Sequence, residues 1–284
     1  MSATEFSPIQ KITFFDREIL LKRDDLLPGL LNGNKARKFH ALLHRKLPSV
    51  TTVVSHGSAQ SNAMASLARV AAQKGWEFHY YTDHVASHLK AAPYGNLATA
   101  LALGMILHKG RPPGSFGDDT LFVPEGGHFE GAEEGIRILA DEIRGQRDPC
   151  AIFLPSGTGT TALYLQKHLH EFQVYTTPCV GDAAYLKQQF LELETNSSLH
   201  PQILIPPRKY HFGKLYREFF EIWIELKQCT KVTFDLLYDP PGWLTLQSHL
   251  ELFRNRTLLY LHQGGVEGNE SMYRRYQRKA YADN

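Results

Sequence analysis

The sequence predicts an α/β protein in two units, each an open, mostly parallel twisted sheet with helices on both faces, and a cleft between them. Three observations predict this. Short apolar runs alternate with segments of helical periodicity along the 284-residue chain, as in parallel strands joined by crossover helices. The runs end in glycine- or hydroxyl-rich turns that lead straight into a helical pattern. The alternation also falls into two stretches divided near residue 125, and the length suits one large domain or two smaller ones. The expected larger domain is residues 1–40 with 126–284, and the smaller is 41–125.

The elements follow in order. "LLNGNKARK" (30–38) is a loop running into a helix start that carries Lys35, Arg37 and Lys38. A helix N-terminus favours negative charge, so three cations there suggest an anionic partner. "TTVVSHG" (51–57) is β-branched and ends at a glycine. In "SNAMASLARVAAQKG" (61–75), Met64, Leu67, Ala68 and Ala71 have helical spacing, and Gly75 fits the C-terminal cap. Then come strand "FHYYT", helix "YGNLATALALG", strands "MILHK" and "TLFVPEGG", and helix "GAEEGIRILADEIRG". In the second stretch the apolar runs are "CAIFLPSG", "QVYTTPCVG", "PQILIPP", "FDLLYDPP" and "TLLYLHQGG". The helical patterns between them are "TTALYLQKHLHEF", "DAAYLKQQFLEL", "YREFFEIWIELKQ" and "WLTLQSHLELF". The basic "SMYRRYQRKAYADN" reads as a surface helix or tail.

Composition excludes several classes. A formal net charge of +2 gives no broad basic field, which argues against a nucleic-acid partner. The three cysteines, Cys150, Cys179 and Cys229, are odd in number and widely spaced, unlike a disulfide framework or zinc cluster. "MSATEFSPIQK" has no apolar core of a signal peptide, and no run reaches the ~18 apolar residues of a transmembrane helix. The expected setting is cytoplasmic, with no membrane partner.

Three segments can carry chemistry. "LPSGTGTTALYL" (154–165) ends an apolar strand at Pro155. It then turns through Ser156, Gly157, Thr158, Gly159, Thr160 and Thr161 into a helix. Free N–H groups at such a start bind phosphate or carboxylate. The segment lacks the lysine of a Walker loop and the third glycine of a dinucleotide fingerprint. An ordinary turn with capping threonines is the alternative. In "SHGSAQSNAMAS" (55–66), Ser61 is either a plain N-cap or, with Asn62, part of a ligand site at the carboxyl end of a parallel strand. In "NGNKARK", the cations either form a solvated helix start or include Lys35 held in a cleft by Gly33–Asn34. A desolvated lysine near another cation has a depressed pKa and can form Schiff bases. His84 and His88, four apart in "DHVASH", read as an exposed helix face without a third metal ligand. "PEGGHFEGAEEG" (124–135) and "LHQGG" either line a cleft or cap helices.

Together these segments resemble the pyridoxal-phosphate enzymes of fold type II, and most closely the aminocyclopropane-carboxylate deaminase / D-cysteine desulfhydrase family. "LLKRDDLLPGLLNGNKARKFHALL" is similar to that family's "KRDD" strand and "GGNKxRK" segment. "VVSHGSAQSNAMASLARVAAQKG" is similar to its "GGxQSNH" turn and helix. "PYGNLATALALGM", "VPEGG", "LPSGTGTTALYL", "FDLLYDP" and "LLYLHQGG" follow in the family's order. The resemblance implies a tryptophan synthase β-like fold with pyridoxal 5'-phosphate in the larger domain, a small amino-acid substrate and a possible homodimer. It implies that Lys35 carries the cofactor covalently, Lys38 reaches its phosphate and Asn34 places the lysine. Asn62 would contact the phenolic oxygen, and Ser61 would be the active-site serine. Ser61, Asn62, Gln60 and the N–H groups beside them would hold the substrate. Gly157, Thr158, Gly159, Thr160 and Thr161 would cup the phosphate. Arg37 keeps a solvated or structural role.

The implied chemistry is lyase or deaminase chemistry on a small amino acid. Such a cofactor is an electron sink that stabilises a carbanion at Cα, and a freed Lys35 amine acts as general acid/base. β-Elimination from D-cysteine would give a 2-oxo acid, ammonia and sulfide. Cyclopropane deamination, or cofactor binding without catalysis, are the alternatives. The chain departs from the family after "DP". Deaminases there place a tyrosine and a glutamate, and desulfhydrases a tyrosine and a threonine. Here Gly242 and Trp243 occupy those positions in ungapped register. Thr245 is the candidate for the ring-nitrogen partner, and Tyr210 or Tyr216 for the tyrosine of a second loop. Asn32 replaces the first glycine of the lysine segment, and asparagine also tolerates φ > 0.

Overall fold

The computed structural model describes residues 6–145 and 150–279. The hairpin β1 (Ile9–Phe14) and β2 (Arg17–Arg23) leads to α1 (Gly33–Lys38) and α2 (His40–His44). Next come β3 (Thr52–His56), α3 (Asn62–Lys74), β4 (Glu77–Thr82), α4 (Ser87–Ala91), α5 (Gly95–Ala102), β5 (Ile106–Lys109) and β6 (Thr120–Val123). The chain continues through α6 (Glu133–Arg144), β7 (Cys150–Ser156), α7 (Thr160–His168), β8 (Gln173–Pro178), α8 (Ala183–Leu193) and β9 (Gln202–Ile203). It closes with α9 (Arg217–Thr230), α10 (Asp239–Ser248), β10 (Thr257–His262) and α11 (Asn269–Arg278).

Two sheets result. One has six strands in the order β1-β2-β10-β7-β8-β9, the other four in the order β5-β4-β3-β6. Every pairing is parallel except β1 with β2. Helices cover both faces of the larger sheet, which the two-residue period of β7 makes visible. Ala151 and Phe153 join one core with Ile19, Tyr260 and Trp243. Ile152 and Leu154 point the other way, to Ile136, Leu139 and Leu165. The smaller sheet packs Val53, Phe78, Tyr80 and Val123 against Met64 and Leu67 of α3. Full burial of each large apolar side chain contributes about 2–3 kcal/mol, so helices and sheets hold each other.

The expected fold class and most of the elements are present. Two apolar runs behave differently. "PQILIPP" pairs over two residues only, because Pro201, Pro206 and Pro207 bracket it and lack the ladder N–H. "FDLLYDPP" forms no strand: the Asp235 carboxylate accepts from Leu237 N at 2.8 Å and Tyr238 N at 2.6 Å, curling the segment into a turn. α10 then begins at Asp239, with Pro240 in its first turn, where a missing N–H does no harm. Among the described residues no helix is long and apolar enough to cross a membrane.

The topology puts three turns at carboxyl ends of parallel strands: 57–61 after β3, 157–159 after β7 and 263–265 after β10. Open α/β sheets bind ligands at such ends.

Candidate functional site

The turn after β10 fixes the lysine. Asn34 N donates to Gln263 O at 2.8 Å and Asn34 Nδ2 to Gln263 Oε1 at 3.3 Å. Gln263 Nε2 in turn reaches Pro155 O at 2.7 Å, tying the start of α1 to the ends of β10 and β7. Only glycine serves at position 33, where φ is +60° and a Cβ would run into the Gln263 carbonyl. Lys35 Nζ then donates to Asn34 Oδ1 at 3.2 Å. Enclosure of the amine lowers its pKa to about 8, and the charge of Asp235 opposes that fall. Lys35, Asn34, Asn62, Asn96, Arg69 and Gly265 line a cavity of about 110 Å³.

The sequence reading left Arg37 as solvated or structural; it is structural. Its guanidinium bonds Asp24 Oδ1 at 2.9 Å and Glu142 Oε1 at 2.6 Å, both buried. Lys22 shares Glu142 at 2.5 Å. Two cations and two anions therefore balance behind α1, locking it to β2 and α6.

Lys38 has no such carboxylate. Its Nζ donates to Gly126 O at 3.0 Å and Thr158 Oγ1 at 3.4 Å. Among the described residues it makes no ion pair, and burial with the nearby Lys35 charge pushes its pKa well down. Thr158 Oγ1 lies 3.1 Å from Thr160 Oγ1, and Thr160 Oγ1 lies 3.1 Å from His128 Nδ1. Thr161 Oγ1 is buried without a hydrogen-bond partner. Gly159 is the N-cap of α7 and offers no side-chain cap. A buried amine with no carboxylate partner and a bare helix start meet at the Thr158–Thr160 turn. Each is unfavourable alone, and one anion there would satisfy both.

Ser61 is the N-cap of α3, accepting from Ala63 N at 3.2 Å and Met64 N at 3.3 Å. The capping role open in the sequence is thus filled. Gln60 turns to α5, with Nε2 donating to Tyr94 O at 3.0 Å. Asn62 Oδ1 accepts from Asn96 Nδ2 at 2.7 Å, which orients its amide. A Cβ at Gly265 would stand 2.9 Å from Asn62 Nδ2 and 3.0 Å from Asp235 Oδ2, so this missing side chain leaves the two polar groups facing one gap.

Asp235 and Tyr238 are the site residues that sequence reasoning missed. Burial raises the Asp235 pKa to about 6, against the pull of the Tyr238 and Leu237 N–H groups and of Lys35. The signal was a carboxylate, Asp235, set between apolar residues in "FDLLYDP", read as strand. Tyr238 stands beside Gly157: a Cβ there would lie 3.3 Å from its ring and 3.5 Å from its hydroxyl. Burial drives that phenol's pKa upward.

Several candidates lie elsewhere. Tyr210 and Tyr216 pack on each other at 5.1 Å between ring centroids and on Phe219. Thr245 is buried and donates to Pro241 O at 2.7 Å within α10. Gly242 backs onto Pro155, and Trp243 stacks on Tyr260 at 4.2 Å and 11° in the core. His84 precedes α4, so it shares no helix face with His88. Cys179 and Cys229 are free thiols.

No protein-family model matches the chain. A 74-residue segment is 39% identical to a D-cysteine desulfhydrase of Yersinia pestis (strain Pestoides F), over 24% of this chain and 22% of that protein. A 76-residue segment is 38% identical to a D-cysteine desulfhydrase of Serratia proteamaculans, over 26% of this chain and 23% of that protein. The chain thus spans less than a quarter of the length of these curated relatives. Among solved structures, an ACC deaminase homologue superposes with a TM-score of 0.79 at 20% identity, over 96% of this chain and 92% of the other. Escherichia coli diaminopropionate ammonia lyase superposes with a TM-score of 0.65 at 14% identity, over 99% and 88%. With its two parallel sheets and the helices that cover them, the chain has the α/β fold of the type II pyridoxal-phosphate enzymes.

Proposed function

We propose that the protein is a pyridoxal-phosphate-dependent lyase or deaminase acting on a small amino acid, with β-elimination on D-cysteine or a similar D-amino acid as its reaction. The products would be a 2-oxo acid, ammonia and sulfide. One observation carries the reading: an enclosed lysine amine with its pKa near 8 shares α1 with a buried, uncompensated Lys38 at the hydroxyl cup. The short likeness to D-cysteine desulfhydrases supports the choice of substrate.

The residues fit the cofactor. Lys38, the hydroxyls of Thr158, Thr160 and Thr161, and the N–H groups at Gly157, Gly159 and the α7 start would hold its phosphate. Asn62 would hold its phenolic oxygen, with Asn34 steering Lys35. When bound, the cofactor supplies an electron sink for a carbanion at the substrate Cα. Lys35 would take the proton from Cα and deliver it to the departing thiolate, which a pKa near 8 permits close to neutrality. Gln60, Ser61 and the first N–H groups of α3 bind the substrate carboxylate, Ser61 exchanging its cap bonds for this role. Gly242 and Trp243 are core residues here, so the extra acid/base pair of the deaminases is missing, which favours β-elimination over ring opening.

The division into 1–40 with 126–284 and 41–125 is supported by the two sheets. A cytoplasmic setting rests on composition and a homodimer on the family resemblance; light scattering checks the mass. The test of function is direct. Protein incubated with pyridoxal phosphate and reduced with borohydride should carry the adduct on Lys35 by peptide mass spectrometry. Lys35→Ala should lose both the adduct and 2-oxo acid release from D-cysteine. Absence of any adduct on wild-type Lys35 would refute the proposal.

A further inference from the structure

The glycine-rich loop before α6 places a histidine at the phosphate cup for which the family resemblance gives no role. His128 Nδ1 lies 3.1 Å from Thr160 Oγ1, and His128 Nε2 lies 3.2 Å from Glu192 Oε2. A carboxylate only accepts, so Nε2 carries a hydrogen in either charge state. In the neutral ring Nδ1 is then an acceptor, and the single hydrogen of Thr160 points at the imidazole. In the protonated ring Nδ1–H donates to Thr160 Oγ1, and the threonine hydrogen is released toward Thr158 or a ligand. Resting on the cofactor reading above, we propose that His128 is a positioning residue for the phosphate-binding Thr160: protonated between Glu192 and Thr160, it turns the Thr160 hydroxyl hydrogen onto the phosphate ester. The proton comes from solvent, adding to Nδ1 as the anion binds, and no other bond is made or broken.

The surroundings suit this role. The charged groups facing the ring are Lys38 from α1 and Glu192 from α8. Burial and Lys38 hold the free imidazole's pKa below its ordinary value, while Glu192 opposes them. A phosphate dianion at the cup offsets Lys38 and reverses the balance. Thr161, next to Thr160 in the first turn of α7, has a buried hydroxyl with no hydrogen-bond partner among the described residues.

Inorganic phosphate is the probe, because it samples the cup without a covalent bond to Lys35, and the titration of Lys35 and Lys38 is common to the wild type and the His128 variant. Its affinity for the full chain is measured against pH, with the His128 imidazole followed by NMR and assigned through His128→Asn. Phosphate should raise the His128 pKa, and His128-linked affinity should fall about tenfold between about pH 6 and about pH 8. Phosphate itself titrates in this range, so the wild type is compared with His128→Asn, which should lack that part of the slope and bind more weakly at low pH. Glu192→Gln should shift the slope to lower pH. Equal slopes in wild type and His128→Asn overturn the proposal, as does an unmoved imidazole. A cup that shows the linkage while borohydride traps nothing on Lys35 would sink the cofactor reading and leave this one standing.

Discussion

The Lys35 amine is set by two opposing effects, burial and the charge of a carboxylate. Burial takes the amine down to about 8, and Asp235 keeps it from falling further. At that pH Asp235, with its pKa about 6, is ionised. Asp235→Asn removes the carboxylate that favours the ammonium, so the midpoint of Lys35 labelling should move below about 8. Trapping yield measured against pH reads this shift, and an unchanged midpoint would mean that the two groups do not communicate. The lysine was legible because the glycine, asparagine and lysine are contiguous. Asp235 was not: beyond its local N–H partners, the amine it acts on comes from α1, far away in sequence. A carboxylate within an apolar run gives no local sign that folding will bring an amine to it.

At the level of elements, α1 is held at both ends of its short length. Gly33 lets it begin against Gln263, and Arg37 anchors it to Asp24 and Glu142. Gly33→Ala combines a left-handed backbone with a steric conflict, so a loss of about 2–4 kcal/mol is expected in denaturant unfolding. Lys35 trapping should fall with it, since the turn that aims the lysine is displaced. Arg37→Met leaves two carboxylates facing Lys22 alone, and about 3–5 kcal/mol should be lost. A smaller loss in either variant would mean that α1 is not held as described. Most elements could be read from periodicity, since β-branched runs and 3.6-residue patterns are local. The stretch 234–238 could not, because an aspartate that collects backbone N–H groups overrides the apolar pattern around it.

Across the molecule, the two sheets keep separate cores and meet at the cleft. Two polar ties cross near its rim. Arg69 of α3 pairs with Glu267, after β10, at 2.8 Å. The Arg274 guanidinium of α11 lies 4.5 Å from the centroid of Tyr94, before α5. Partly exposed ties of this kind contribute less than about 1 kcal/mol and weaken with salt. Glu267→Gln should therefore leave the unfolding free energy nearly unchanged. It should speed amide exchange in the turn Val266–Gly268 and at the start of α5. Equal exchange in both proteins would mean that the pair does not hold the rim together.

Trp243 sets a limit on what its segment can carry. Its ring lies against Tyr260, with Phe14 and Phe234 edge-on, and it is wholly buried. A Cβ at Gly242 would stand 3.1 Å from both Pro155 and the Tyr260 hydroxyl. Glutamate at 243 would bury a charge and empty an aromatic core, and tyrosine at 242 would have no room. The segment therefore acts as a keystone: neither position can hold an acid/base group without loss of the packing around it.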